Sequence, residues 1–301
     1  MKKKIIKAII AVLVGAILVA LPIVIPPLYE MVSFEEITQG IDEKPEDALR
    51  IMSFNVRYSN VGKESREDRV DIVSKTMLDS QADSIGVQEA TPEWMDDFKE
   101  TLSDKYAYVG VGRDDGDNEG EYSAIFYLKD KYQIEDSGTF WLSETPEKVS
   151  IGWDAACTRI CTWAVLVNKK TGEKYVHLNS HFDHVGVEAR KNSVEMIVEK
   201  AREYTDLPVV FTADMNVKQG SVDYMSFVNS GVLDDTKFIA PDTMDYLTYH
   251  DTKPYALQDW IIDYIMINDK FDAISYKVVT EGIDGRFVSD HYPVYADIIV
   301  K

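Results

Sequence analysis

Short apolar runs of strand type, alternating with stretches of helical periodicity, most constrain the fold of this chain. Many residues in these runs are β-branched or aromatic, as is typical of strands. Apolar positions recur every three or four residues at Arg66 to Ser80, Glu93 to Leu102 and Val187 to Tyr204, which predicts helices. Strands mixed with a few helices predict an α/β (α+β) fold with sheets buried between helices. The predicted strands lie in RIMSFNV, DSIGVQEA, SAIFYL, TWAVLV, KYVHLNSHF, LPVVFTAD, WIIDYIMI and HYPVYADIIV.

The first segment of the chain predicts a membrane anchor. An almost unbroken apolar run extends from Ala8 to Ile25, and its length of about 18 residues approaches the roughly 20 that a helix needs to cross a bilayer. Lysines cluster in front of the run, which predicts that the N-terminus lies inside and the rest outside. We therefore expect one transmembrane helix within residues 1–28, an acidic tether over residues 29–48, and an extracytoplasmic globular domain over residues 49–301.

A cleaved signal peptide is the alternative interpretation of this segment, and it would make the protein secreted. The apolar region of a signal peptide is usually about 7–15 residues long and ends in a small-x-small cleavage site. Ala16 to Leu21 offers only a poor version of such a site. The sequence therefore favours a retained single-pass anchor in the cell membrane.

Charge and cysteine content limit the partners of the chain. Acidic residues outnumber Lys and Arg by 52 to 32, and the net charge is -20. Such a charge repels polyanions at long range, so nucleic acid is disfavoured as a substrate. Cys157 and Cys161 would lie about 13 Å apart in an extended strand, too far for a disulfide. We interpret both as packed free thiols, although a tight turn between them would leave a disulfide open.

Polar residues follow or interrupt the apolar runs, and they are the first indication of a site. Each one alone is most often a cap or a turn former. Together they indicate a cluster at the ends of strands. They are Asn55, Glu89, His181, Asp214, Asn216, Asp290 and His291.

The chemistry of these residues suits phosphate and a hard metal ion. Asp214 and Asn216 are two residues apart, so in a continuous strand their side chains leave the same face. Glu89 offers carboxylate oxygens, which suit Mg²⁺ or Mn²⁺ better than zinc. His291 is a natural general base, and Asp263, inside an apolar run, is a candidate to orient its ring. The open alternative for Asp263 is a buried carboxylate that is satisfied by backbone amides.

Six motifs resemble, in their order, the endonuclease/exonuclease/phosphatase superfamily. The resemblance extends from about Ile51 to Val300, and its combination of SDHYPV with DxN and QE is specific. It implies two packed mixed β-sheets flanked by helices, a four-layer sandwich with the site at one edge of the paired sheets. The motifs are NV at Asn55–Val56, QEA at Gln88–Ala90, NSHF at Asn179–Phe182, ADMN at Ala213–Asn216, IDYI at Ile262–Ile265 and SDHYPV at Ser289–Val294.

The resemblance also implies roles for individual residues. Glu89 would be the main ligand of Mg²⁺ (or Mn²⁺), with Asn55 and Asp290 beside it. Asp214 and Asn216 would hold the attacking water and the phosphate, and His181 would contact the scissile phosphate. Asp263 with His291 would form the general-base pair, and water would attack phosphorus in line without a covalent intermediate.

The segment from Gly138 to Trp163 resembles one of a largely uncharacterised bacterial subgroup, and it is the expected substrate wall. A Trp is more often ordinary packing, and an exposed His is equally often plain surface. His177 and His250 are expected to be structural. The candidate substrate contacts are Trp141, Trp153, Asp154, Arg159 and His184.

These features predict a metal-dependent hydrolase of phosphate esters, acting on a small molecule, a lipid headgroup or a sugar phosphate outside the membrane. An extracytoplasmic nuclease is the second enzymatic hypothesis. A catalytically silent, membrane-tethered binding module is the alternative of another class, and the presence of every site residue speaks against it. The body is expected to be monomeric.

Overall fold

The computed structural model describes residues 38–58, 65–252 and 260–301. The described strands are β1 (Leu49–Asn55), β2 (Ser84–Gln88), β3 (Tyr106–Val109), β4 (Ile125–Leu128), β5 (Tyr132–Trp141), β6 (Ile160–Asn168), β7 (Lys174–His181), β8 (Val209–Asp214), β9 (Asp234–Asp235), β10 (Asp242–Thr243), β11 (Asp263–Ile267), β12 (Phe271–Val278) and β13 (Val294–Val300). The described helices are α1 (Arg66–Ser80), α2 (Pro92–Thr101), α3 (Val187–Arg202), α4 (Val222–Val228) and α5 (Thr236–Ile239).

The strands form two mixed sheets. The first has the order β10-β12-β13-β1-β2-β4-β3, with β1 parallel to β2 and antiparallel to β13. The second has the order β5-β6-β7-β8-β11-β9, with β7 parallel to β8 and β11 antiparallel to β8. The prediction of two packed mixed sheets flanked by helices is confirmed.

Three apolar clusters hold the layers together. The cluster between the sheets contains Ile51 of β1 and Val210 of β8. The next residues along these strands, Met52 and Phe211, face the helices. Outside the first sheet, α1 and α2 bury side chains such as Trp94 and Phe98. Outside the second, α3 and α4 bury side chains such as Ile197. Because successive side chains of a strand point to opposite faces, these strands contribute apolar side chains both to the cluster between the sheets and to the clusters under the helices.

Helix boundaries follow local capping chemistry. Helix α1 has the predicted bounds, because the side chain of Ser65 caps its first turn and Gln81 adopts the left-handed conformation after it. Helix α2 starts one residue earlier than predicted, with Pro92 in its first turn. Helix α3 ends two residues before the predicted Tyr204.

The last strand begins later than its apolar pattern predicts. The run HYPVYADIIV starts at His291, whereas β13 starts at Val294. Pro293 has no backbone N–H to donate to a neighbouring strand, which explains the delay. Asp290 and His291 therefore lie in the loop before the strand.

Both cysteines are free thiols in the structure, as predicted, with Cys161 buried in β6. In the described ranges no helix is long and apolar enough to span a bilayer. The predicted anchor over residues 1–28, and the tether up to residue 37, lie outside the described residues.

The described end of the predicted tether contacts the body. Gln39 donates its backbone N–H to Thr280 Oγ1 at 2.8 Å, and its carbonyl accepts from Thr280 N and Glu281 N. Lys44 forms an ion pair with the buried Asp83. The chain thus packs against the body from residue 39 onward.

Candidate active site

One row of paired residues across the second sheet positions three of the predicted side chains. His181 at the end of β7 pairs with Asp214 at the end of β8, and Asp214 pairs with Asp263 at the start of β11. Paired residues of neighbouring strands project to the same face, here the face toward the first sheet. Residues far apart in sequence therefore meet at one end of the sandwich.

The first sheet contributes Asn55 and Glu89, which face this row of residues on the second sheet. Asn55 ends β1 in register with Gln88, and Glu89 follows directly after β2. Glu89 has a φ of 61°, a left-handed backbone conformation that is uncommon for a residue with a Cβ. Such strain persists only where the surroundings impose it, and it often marks a functional position. Here it accompanies a carboxylate that faces the second sheet.

Glu89, Asp214 and His291 form a candidate metal centre. Each offers one ligand atom, and these atoms all lie within 4.8 Å of one another. The amide nitrogen of Asn55 donates to Glu89 Oε1 and to Asp214 Oδ2, both at 2.9 Å. The two converging carboxylates fit a hard divalent cation such as Mg²⁺ or Mn²⁺, which prefers oxygen ligands to imidazole. The residues present therefore fit the metal that the resemblance implies.

Asp290, which the sequence placed among the metal ligands, is not part of this three-residue set. Its Oδ2 lies 3.6 Å from Arg57 Nε, and its Oδ1 accepts from the hydroxyl of Ser289 at 3.2 Å. Asp290 is adjacent to His291 in the loop before β13. Its role as a ligand stays a prediction.

His291 and Asp263 form the pair that the sequence suggested. His291 Nδ1 lies 2.9 Å from Asp263 Oδ2, and both side chains are buried. Burial lowers the pKa of His291, but the adjacent Asp263 carboxylate outweighs it and raises this pKa to about 10. Asp263 Oδ1 is buried without a hydrogen-bond partner. The Asp263 carboxylate therefore contacts His291, and backbone amides do not satisfy it as the alternative hypothesis had it.

Asp214 sits between the two histidines. Its Oδ2 lies 3.5 Å from His181 Nε2 and 3.8 Å from His291 Nε2. Burial, reinforced by the neighbouring Asp263, raises the pKa of Asp214 to about 7. A cation at this position would stabilise the ionised carboxylate.

His181 is a neutral imidazole at neutral pH. Burial, together with the positive charges of Arg159 and Arg113, lowers its pKa well below the usual value. The amide nitrogen of Asn216 lies 3.0 Å from His181 Nε2. Asn216 has a φ of 50°, a conformation that Asn tolerates better than most residues. The turn after β8 thus brings Asn216 back to the site.

Two of the five candidate substrate contacts lie near His181. Arg159 is buried, with Nη2 3.0 Å from His184 Nδ1 and with Nη1 lacking a hydrogen-bond partner. Its Nε lies 3.4 Å from Asp183 Oδ2. His184 itself is exposed. These positions fit a wall of the site, and substrate contact stays a prediction.

Two of the other three candidates, Asp154 and Trp141, have structural partners. The carboxylate of Asp154 accepts three backbone N–H groups at the start of α3, from Val187, Glu188 and Ala189, at 2.8 to 3.3 Å. These bonds, first among them that from Ala189, lower the pKa of Asp154. Trp141 donates its indole N–H to the carbonyl of Arg113 at 2.8 Å, and Trp153 is half-buried.

Sequence reasoning missed three residues beside the site. Glu121 Oε2 lies 3.9 Å from His181 Nδ1, and Arg113 binds Glu121 through two nitrogens at 2.7 and 3.0 Å. The ring of Tyr249 packs on the imidazole of His291, with centroids 4.9 Å apart. Glu121 lies in an acidic loop, and Tyr249 lies outside every described helix and strand, so no periodic pattern singled them out.

This constellation has counterparts in known proteins. A model of the endonuclease/exonuclease/phosphatase family matches residues 52–291. The chain belongs to this family. Members of the endonuclease/exonuclease/phosphatase family are phosphoesterase hydrolases, and the resemblance inferred from the motifs is confirmed. No curated protein matches the chain.

Solved structures extend the comparison. A family member from Bacteroides thetaiotaomicron is 34% identical, with a TM-score of 0.80, over 84% of this chain and 98% of that chain. A mannosyl-6-phosphatase of the same species is 35% identical, with a TM-score of 0.79, over 83% of this chain and 99% of that chain. The catalytic domain of human Nocturnin, 17% identical with a TM-score of 0.67 over 86% of this chain and 97% of that chain, shares the fold.

Proposed function

We propose that this family member is a divalent-metal-dependent phosphatase of small phosphate esters, with phosphorylated sugars as its substrate class. The observation that carries the proposal is the convergence of Glu89, Asp214 and His291 within 4.8 Å, with Asp263 behind the imidazole. The 35% identity to a mannosyl-6-phosphatase supports a sugar phosphate as substrate.

Mg²⁺ or Mn²⁺ is the proposed cofactor. Glu89 and Asp214 would hold it, and the amide of Asn55 fixes both carboxylates. When bound, the cation supplies positive charge that stabilises negative charge on phosphoryl oxygens.

Residues of the chain itself accept the proton of the attacking water and bind the phosphate. Asp263 binds Nδ1 of His291, so Nε2 faces Asp214 and, in the neutral form of the ring, is the atom that takes the proton of the attacking water. A bound cation would lower the pKa of His291 and so favour this neutral form. The neutral His181 and the amide of Asn216 lie together at the end of β7 and β8 and are the proposed phosphate-binding groups. Because the Asn216 amide nitrogen contacts His181 Nε2 and the carbonyl of Phe182, a phosphoryl oxygen would have to replace one of these contacts. Water attacks phosphorus directly, so no covalent intermediate forms on the protein.

The net charge of the chain argues for a small substrate. A protein that tracks a nucleic-acid backbone normally offers a basic stripe. Here acidic residues exceed basic ones by 52 to 32. The proposal therefore predicts poor activity on duplex DNA even at low salt.

The test is hydrolysis of three substrates with Mg²⁺: a hexose 6-phosphate followed by phosphate release, bis(p-nitrophenyl) phosphate followed by p-nitrophenol release, and plasmid DNA followed by strand cleavage on a gel. We expect hydrolysis of the hexose phosphate, reduced about 10²–10⁴-fold in His291→Ala, the usual scale for losing a general base. Rapid plasmid degradation that His291→Ala abolishes would establish a nuclease instead. Absence of all hydrolysis with Mg²⁺ and Mn²⁺ would favour a silent binding module.

We also propose that residues 1–28 anchor the body outside the cell membrane. The support is the lysine-flanked apolar run of the sequence. Full-length protein should stay with membranes after a high-salt wash, and protease added outside should reach the body. Recovery of a chain that begins shortly after Ala20 would establish a cleaved signal.

A further inference from the structure

A second recess lies beside the active site, where the open edges of the two sheets meet. Strand β3 is the last strand of the first sheet, and β5 is the first strand of the second. Between them is a cleft of about 270 Å³, which we call the edge cleft, lined among others by Gly110, Ser137, Thr139, Trp141 and Thr162. None of the predicted metal or general-base residues lines it.

The edge cleft is aligned with the catalytic row. Trp141 pairs with Ile160 on β6, and the adjacent Cys161 pairs with Ser180 on β7, so the same row leads to His181. Strands β5 and β7 are two strand spacings apart, which corresponds to about 10 Å. Trp141 is also tied to the site wall, because its indole N–H binds the carbonyl of Arg113, whose side chain binds Glu121 beside His181.

The lining of the edge cleft specifies the chemistry of its ligand. Of the described residues that form it, none carries a charge, although the whole chain has a net charge of -20. A charged ligand would lose its hydration there without gaining an ionic partner. Hydroxyl groups of Ser137, Thr139 and Thr162 can donate and accept hydrogen bonds, and the indole of Trp141 offers apolar surface. A neutral ring that carries hydroxyl groups satisfies both features.

Backbone geometry keeps the edge cleft open. Gly110 has a φ of +134°, and a Cβ there would come within 3.1 Å of the Ala124 Cα. The position therefore requires glycine, and the missing side chain leaves room above Thr162. The hydroxyl oxygens of Thr139 and Thr162 lie 3.3 Å apart across β5 and β6, inside the cleft.

We propose that the edge cleft is a subsite for an uncharged sugar residue of the leaving group. The substrate would then be a phosphorylated oligosaccharide, whose phosphate lies at Glu89 and His291 while the next sugar lies against Trp141 and Thr139. This inference rests on the proposed function and names the part of the substrate that the catalytic residues do not select.

The test compares hydrolysis of a hexose 6-phosphate with hydrolysis of a panel of disaccharides that carry the same phosphate on the terminal sugar, using the full chain. Wild type should have a lower KM for at least one phosphorylated disaccharide. Thr139→Phe fills the cleft and should raise that KM about tenfold or more, with little change for the hexose phosphate. Gln133→Phe is the matched control, because Gln133 is an exposed residue of the same strand, outside the cleft.

A direct binding measurement separates this inference from the proposed function. Isothermal titration of the full chain with the unphosphorylated disaccharides should detect binding in wild type and Gln133→Phe, and lose it in Thr139→Phe. Such binding would support the subsite even if no phosphate ester were cleaved. Equal KM values for both substrate types in wild type, or an equal rise for both in Thr139→Phe, would overturn the inference.

Discussion

At the residue scale, the contact between Asp263 and His291 is the feature with the clearest chemical consequence. Asp263 raises the pKa of His291, so removing its charge must lower that pKa. In Asp263→Asn the neutral imidazole would therefore persist to lower pH, and the acid limb of the kcat profile should shift to lower pH. The maximal rate should fall by about 10²-fold or more, because the ring loses its orientation.

Asp263→Glu is the matched control for this prediction. It keeps the negative charge, so the acid limb should stay nearer its original pH although the geometry is disturbed. The measurement is kcat against pH for the three proteins. A wild-type rate and profile in Asp263→Asn would show that the pair has no part in catalysis.

At the scale of elements, the start of α3 depends on a distant side chain. Gly186 offers no side-chain cap, and the carboxylate of Asp154 instead accepts three N–H groups of this helix. We expect Asp154→Ala to lower Tm, since these donors lose their partner. KM should change little, because the carboxylate is already engaged. Measurements of thermal unfolding and of KM for Asp154→Ala separate this structural role from a role in substrate binding. A raised KM with an unchanged Tm would instead show that Asp154 contributes to substrate binding.

The sequence predicted those parts of the fold and the site that depend on local patterns, such as apolar periodicity and helix caps. Helix α1 was predicted with its bounds because its cap and its period are both local, and most of the central strands carry apolar runs. Strands β3, β5 and β12 and the two-residue strands β9 and β10 were not predicted. In YQIEDSGTFW and FDAISYKV, the sequences of β5 and β12, exposed polar residues interrupt the apolar pattern. The contact of Asp154 with α3 and that of Glu121 with His181 join segments far apart in sequence, which no local pattern reveals.

At the scale of the whole molecule, a buried polar bridge joins the two sheets. His177 on β7 is fully buried, with Nδ1 2.8 Å from Ser84 Oγ of β2 and Nε2 2.8 Å from Thr212 Oγ1 of β8. Burial lowers the pKa of His177 to about 3. The sequence had assigned this histidine a structural role, and its contacts fit that assignment.

This bridge predicts acid sensitivity of the fold. In the unfolded chain His177 binds a proton below about pH 6.5, whereas in the folded protein it does so only near pH 3. The unfolded state therefore binds more protons in this window, and the free energy of unfolding falls as pH drops, by about 1.4 kcal/mol per pH unit from this group. His177→Gln should reduce that slope in urea unfolding between pH 6.5 and 4. An unchanged slope in His177→Gln would contradict the prediction.

The central claim is that Glu89 and its neighbours hold a divalent cation that phosphate-ester hydrolysis requires. The most direct test is the initial rate of phosphate release from a hexose 6-phosphate as Mg²⁺ is added back to EDTA-treated protein, for wild type and Glu89→Gln. Wild type should be inactive in EDTA and recover with Mg²⁺. Glu89→Gln should remain folded by circular dichroism but need far more Mg²⁺ or fail to recover. Full activity of Glu89→Gln in the presence of chelator would contradict the account.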